Sequence, residues 1–177
     1  MFCESENLYL RSVQLSDSST ITEWKNDHYM KEMSIGLHTT VTLETQQLDI
    51  KKSLEGHHPY YIICKKESNK PIGYIRFNWM DHTERVGWLR FGLGEDRGKG
   101  YARQALQACF RTMFETNAHR IDAEVFEFNV VSFSLLKSLG FKHEGTRRKA
   151  YYTNGQDYDV LTLGLLKNDF TNRTERL

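Results

Sequence analysis

Six consecutive residues, Arg97-Gly98-Lys99-Gly100-Tyr101-Ala102, could hold an anion largely through main-chain groups. They follow a β-forming run that ends near Leu93 and open a stretch with helical periodicity. Glycines let the backbone approach a ligand closely. The first N–H groups of a helix have no internal partner, and the helix dipole adds partial positive charge there. Such a turn suits a pyrophosphate. It is not a P-loop, because Gly98-Lys99 is followed by glycine rather than Ser or Thr. Nor is it a dinucleotide fingerprint, since at least three strands with hairpin-like spacing come before it. On the hexapeptide alone, an ordinary tight strand-to-helix turn remains the alternative.

No other cluster competes with it. The three cysteines, Cys3, Cys64 and Cys109, are odd in number and far apart. Cys64 and Cys109 sit in apolar patterns and read as small buried hydrophobes. The seven histidines show no metal-ligand spacing, so no metal is expected. With 39% hydrophobic and 27% charged residues, the 177-residue chain reads as one soluble globular domain spanning 1–177. A net charge of +1 with scattered basic residues argues against nucleic acid as partner. No opening apolar segment suggests export and no run is long enough to span a membrane, so the expected compartment is the cytoplasm.

The elements that would carry the turn follow from periodicity. Asn7 to Gln14 alternates as a strand, and Ser16 or Asp17 could cap a helix bearing Ile21 and Trp24. A polar helix spans Leu43 to Leu54. Tyr60 to Cys64 and Pro71 to Trp79 flank Glu67-Ser68-Asn69-Lys70 as a hairpin, and Val86 to Leu93 adds a third strand. After Gly100 the period lengthens: Ala102, Ala105, Leu106, Cys109, Phe110, Met113 and Phe114 form one helical stripe. Ile121 to Phe128 is a strand. Asn129 caps a short helix closed by Gly140. Asn154-Gly155 marks a final hairpin turn, followed by an apolar strand from Val160 to Leu166. The order predicts a mixed α/β (α+β) fold: a central, mostly antiparallel twisted sheet with flanking helices.

With those elements in place, the hexapeptide resembles motif A of the GNAT acetyltransferase superfamily, whose pattern is Arg/Gln-x-x-Gly-x-Gly/Ala. Arg97, Gly100 and Ala102 fill the three defined positions. The resemblance continues in phase through Asn129-Val130-Val131-Ser132 and Gly140-Phe141. It extends to His143-Glu144-Gly145-Thr146-Arg147 and to the segment from Asn154 to Val160, and it includes Leu10-Arg11, Asp17 and Glu23-Trp24-Lys25-Asn26-Asp27 near the start. These later segments are similar to the subgroup of bacterial ribosomal-protein N-terminal acetyltransferases (RimJ/RimL-like) and spermidine acetyltransferases.

The resemblance implies the GNAT-like acyl-CoA N-acyltransferase fold and acetyl-CoA as co-substrate. The diphosphate would rest on the amides of Gly98, Lys99, Gly100, Tyr101 and Ala102, with Arg97 beside them. Phe91, Gly92 and Leu93 would form the edge against which the pantetheine arm lies, and Asn129 would touch that arm or the phosphates from the other side. An amine would attack the thioester directly, with a main-chain N–H near Leu93 holding the oxyanion.

The tyrosine that many members use as acid is Leu136 here. In the ribosomal-protein-like subgroup the serine of Asn-x-x-Ser takes that role, which makes Ser132 the candidate acid; its alternative is a local helix-start bond to the backbone. The carboxylate that many relatives carry before motif A is replaced by Gly87. Glu127 and Asp159 are the fallback bases, against a plain solvated role for each.

The acceptor face should include Trp24, Tyr29, Trp88 and Tyr152, with core packing as the competing role for the tryptophans. The acceptor is a protein N-terminus or a small-molecule amine, with a polyamine, aminosugar or antibiotic amine as alternatives. The carboxylates that a polycation would want are interleaved with Lys25 and Lys31, which weakens the spermidine reading. A non-catalytic CoA-binding sensor is the rival from another class, and a homodimer is compatible with the resemblance.

Overall fold

The structure, a computed structural model, describes residues 2–36 and 39–174. One eight-stranded sheet organises it. Its strands are β1 (Cys3–Glu4), β2 (Leu8–Ser12), β3 (Tyr60–Lys65), β4 (Pro71–Trp79), β5 (Val86–Leu93), β6 (Arg120–Phe126), β7 (Lys142–Thr153) and β8 (Gln156–Leu166). They lie in the order β1-β2-β3-β4-β5-β6-β8-β7. Every neighbouring pair is antiparallel except β5 and β6. A parallel pair needs a crossover, and here the crossover is the helix whose stripe was read from the sequence.

Among the described residues six α-helices flank the sheet: α1 (Ser18–Asn26), α2 (His28–Met33), α3 (Leu43–Glu55), α4 (Tyr101–Glu115), α5 (Val130–Ser138) and α6 (Lys167–Thr174). The two sheet faces have separate apolar cores. On one, Ala105, Leu106, Cys109, Phe110, Met113 and Phe114 of α4 pack with Ile75, Phe77, Leu89, Leu136 and Phe141. On the other, Ile21, Trp24 and Met30 from α1 and α2, and Ile50 from α3, cover Tyr60, Ile62, Cys64 and Tyr74. Alternation along β3 and β4 produces this division, because successive side chains point to opposite faces.

Local chemistry fixes the ends. Thr42 accepts from the Thr45 N–H at the start of α3 (3.1 Å), and Asn129 accepts from the Ser132 N–H at the start of α5 (3.1 Å). Asn154 and Gly155 take φ of 52° and 78°, as the β7–β8 hairpin requires. Periodicity did not reveal α2, which is one residue removed from α1. Asp27 breaks the run with ψ of 139° and restarts it by accepting from the Met30 N–H (3.3 Å). Nor were β1 and α6 anticipated, being short and polar respectively. Among the described residues no helix is long and apolar enough to cross a membrane, and no group of His, Cys, Asp and Glu is arranged to hold a metal.

Candidate active site

The parallel pairing of β5 and β6 is brief. Its register runs from Val86↔Arg120 to Trp88↔Asp122 and then stops. Beyond that point β5 stays on β4 as far as Leu93↔Gly73, and β6 stays on β8 as far as Phe126↔Val160. The sheet therefore splits, exposing one edge of each strand. The Gly94 N–H donates to the Ile72 carbonyl (2.9 Å), so the even-numbered residues of β5 bond to β4. By alternation the N–H groups of Leu89, Phe91 and Leu93 face the split. A cavity of about 470 Å³ occupies it, bounded by Phe91, Gly92 and Leu93 on β5 and by Ala123, Glu124 and Val125 on β6.

The glycine turn stands at the mouth of this split. Gly98 and Gly100 have φ of 79° and 78°, conformations that L side chains rarely adopt. Space is not their constraint, since a Cβ at either would meet nothing within 4 Å. Gly100 precedes α4 with no side-chain cap, and the first helical bond is Gln104 N–H to the Gly100 carbonyl (3.2 Å). The amides of Tyr101, Ala102 and Arg103 are thus left as outward donors. Arg97, Gly98 and Ala102 line the cavity; Lys99, Gly100 and Tyr101 complete the turn beside it. Lys99 is engaged by Asp96 (2.5 Å), and Tyr101 packs on the α4-side core.

Arg97 is held from three sides. Its Nε donates to the Leu93 carbonyl (2.7 Å), its Nη2 to Asp27 (2.9 Å), and its guanidinium lies 4.7 Å from the Tyr29 ring centroid. Burial works against the Asp27 carboxylate, but the Arg97 bond and charge and the Met30 N–H outweigh it and lower its pKa. The turn is thereby tied to α2 on the opposite face.

Ser132 and Asn129 both line the cavity. Asn129 is 4% exposed; besides capping α5 it donates to the Met33 carbonyl (2.9 Å). Its position is therefore structural as well as adjacent to the split. The Ser132 N–H is used by that cap, while its hydroxyl has no partner among the described residues. In the same helix Ser138 does turn its hydroxyl back, onto the Leu135 carbonyl (2.6 Å).

The fallback bases lie elsewhere. Glu127 accepts from the Asp159 N–H (2.9 Å) and Asp159 accepts from the Lys149 N–H (2.8 Å). Both serve the junction of β6, β7 and β8, and neither lines the cavity. The carboxylate that does line it is Glu124, which sequence reasoning missed. Its side chain is 12% exposed and accepts from Arg147 (2.8 Å). The available signal was alternation: Arg120, Asp122 and Glu124 share one face of β6, and Glu124 is the first of them beyond the parallel pairing.

The aromatic candidates also divide. Tyr29 and Trp88 line the cavity. Trp24, 6% exposed, packs in the α1–α3 core against Gly94, and Tyr152 is 70% exposed on the β7–β8 hairpin; neither lines it. The cysteines take no part. Cys109 is fully buried in α4, and burial raises its thiol pKa well above the ordinary value, with Cys3 adding to the effect.

A sheet split beside an uncapped, glycine-turned helix start, with a cavity running between the two faces, defines the N-acyltransferase class of fold. Residues 7–142 match the family model described as an acetyltransferase (GNAT) domain, and the chain belongs to that family. It is 32% identical over 171 residues to the uncharacterized N-acetyltransferase p20 of Bacillus licheniformis, covering 94% of this chain and 96% of that relative. In fold it is similar to the spermidine N-acetyltransferase of Vibrio cholerae in complex with CoA and spermine (TM-score 0.85, 20% identity, 94% and 99% covered). It is also similar to the ribosomal-protein-S5-alanine acetyltransferase of Vibrio fischeri (TM-score 0.77, 27% identity, 94% and 97% covered). The chain is an N-acetyltransferase, acting on amines.

Proposed function

We propose that acetyl-CoA binds along the β5–β6 split and that a primary amine reaches it from the α1–α3 face. The observation that carries this reading is the end of strand pairing at Trp88↔Asp122 beside the Gly98–Ala102 turn. The residues present suit the donor. Uncapped amides at the start of α4 and the two left-handed glycines suit a diphosphate. The unpaired edge of β5 offers main-chain groups to an arm containing amides. When bound, the donor supplies an activated thioester carbonyl.

The chain's own groups then have separable tasks. The Leu93 N–H, directed into the split, is placed to stabilise negative charge developing on the carbonyl oxygen. Ser132, with an uncommitted hydroxyl on the cavity wall, is the candidate to give a proton to the departing sulfur. Glu124 is the candidate to take a proton from the amine, directly or through one water, and Arg147 holds it in place. Glu127 and Asp159 act instead as acceptors that order the strand junction.

Two measurements test this. Calorimetry on the folded protein should register CoA binding; absence of heat with CoA and with acetyl-CoA would remove the basis of the assignment. Thiol release with an amine panel should show turnover. In that assay Ser132→Ala and Glu124→Gln should each lower kcat by about 100-fold with CoA affinity retained. Equal losses in turnover and CoA binding would give these residues a structural role.

A further inference from the structure

The acceptor end of the cavity has an uneven charge. Arg76 of β4 and Arg90 of β5 are directly opposed across the antiparallel pair, on the face covered by α1 to α3. Lys25 reaches the same wall from α1, and all three line the cavity. One carboxylate, Asp49 of α3, serves two of them: it accepts from Arg76 (2.6 Å) and from Lys25 (3.4 Å). Arg90 is exposed at the cavity mouth and has neither an ion pair nor a hydrogen bond among the described residues. Of the acids nearby, Asp27 is paired with Arg97 and Glu124 with Arg147, while Glu32 lies beside the exposed His28 ring. Glu124 is the only acid among the described residues that line the cavity.

This arrangement concentrates positive charge on one wall of the cavity. Like charges directly opposed on a sheet destabilise it. Lys25 is 13% exposed; burial lowers its ammonium pKa, and the Arg76 and Arg90 charges lower it further against the pull of Asp49. Two of the cations are nonetheless held in place. Lys25 Nζ lies 5.7 Å from the Tyr74 ring centroid and the Arg76 guanidinium 5.4 Å from that of Tyr60. Departures from good electrostatics of this kind concentrate at functional sites.

We propose that the acceptor is a small primary amine bearing its own anionic group, a carboxylate or phosphonate, which Lys25, Arg76 and Arg90 hold on the α1–α3 side of the cavity. The proposal rests on the acetyltransferase reading above and names the substrate class of that same site. An anion would pair with Arg90 and reduce the excess, with charge-assisted bonds to two guanidinium groups. The same cations would lower the pKa of the bound amine and so favour its neutral, nucleophilic form. A polyamine would bring further positive charge to a wall that already repels it.

The test compares amines matched in shape and different in charge. Thiol release by the whole chain is measured with a set of α-amino acids and with 2-aminoethylphosphonate. Their counterparts lacking the anionic group are the corresponding amino-acid amides and ethanolamine, and spermidine is the polycationic probe. The anionic amines should give kcat/KM about tenfold or more above the amides, ethanolamine and spermidine, and their KM should rise with salt. Preference for carboxylate or for phosphonate then identifies the anion.

Arg90→Gln should reduce the anionic-to-amide ratio of kcat/KM about tenfold, and Arg90→Glu should invert it. A thermal melt confirms that each variant is folded. Spermidine or amides turned over as well as the anionic amines, CoA binding without turnover of any anionic amine, or a ratio unmoved by Arg90→Gln would each overturn the proposal. Failure of the underlying reading is distinguishable, because then the folded protein would neither bind CoA nor release thiol with any amine.

Discussion

The two ends of the cavity are built by opposite means. At one end a contiguous turn, Gly98 to Ala102, presents main-chain donors, and its side chains are largely engaged elsewhere or absent. At the other end the chemistry is all side chain, and Lys25, Asp49, Arg76 and Arg90 come from four separate elements. Recognition through backbone depends on φ at one or two positions. Recognition through a charge cluster depends on the packing of α1 and α3 over the sheet. The first is robust to most substitutions outside the glycines; the second can be altered by changing any one member.

The most damaging change should be at the seam joining these ends. A side chain at Gly94 would overlap the Trp24 indole, which is locked in the α1–α3 core. Gly94→Val should therefore cost about 3 kcal/mol and lower Tm by about 6–12 °C in calorimetry. A melting point within a degree of the original would mean that α1 can move without penalty, and that the acceptor wall is less rigid than its contacts imply.

Next is Asp49→Asn, which leaves Lys25, Arg76 and Arg90 facing each other. The loss should be about 2 kcal/mol, smaller than for a fully buried pair because a third of the Asp49 side chain is exposed. Burial opposes the Asp49 charge, but Arg76 and Lys25 prevail and hold its pKa below the ordinary 3.8. A depressed carboxyl pKa stabilises the fold above the ordinary value and loses that contribution as pH falls through the folded one. The gap between wild type and Asp49→Asn should accordingly be full near neutrality and close below about pH 4. A gap independent of pH would show that the bond, not the charge, is what matters.

The backbone-built end predicts a different response. Gly100→Val should weaken CoA binding about tenfold by calorimetry, because a β-branched residue resists φ of 78°. Gly100→Asn should weaken it less, since Asn tolerates that region. Equal effects would point to side-chain bulk rather than conformation. The smallest effect belongs to the surface network in which exposed Glu144 meets the half-buried Arg120 and Asp122. Glu144→Gln should shift Tm by no more than about 2–4 °C and leave CoA binding as it was, because such pairs contribute about 1 kcal/mol or less.

Legibility in the sequence tracks how local each interaction is. The α4 stripe, the Asn129 cap and the Asn154-Gly155 turn involve residues within a few positions of one another, and their spacing sufficed to place them. Glu124 did not stand out, because whether a strand carboxylate meets solvent or a cavity depends on where β5 stops following β6. Along the chain Trp24 reads as core packing, as its place beneath Gly94 bears out, but Trp88 fits either role. That Trp88 lines the cavity follows only once the sheet has two covered faces.

By itself, then, the order of residues determined the strand and helix succession apart from β1, α2 and α6, the glycine bend at the start of α4 and the kinship with acetyl-transferring enzymes, since each depends on short-range conformational preference or on motifs in series. Tertiary structure alone decided where the sheet opens, which carboxylate faces the opening and how two of three neighbouring cations came to share one acid. Those outcomes depend on strand register and on helices packed across the sheet, contacts between residues distant in the chain that no local pattern encodes.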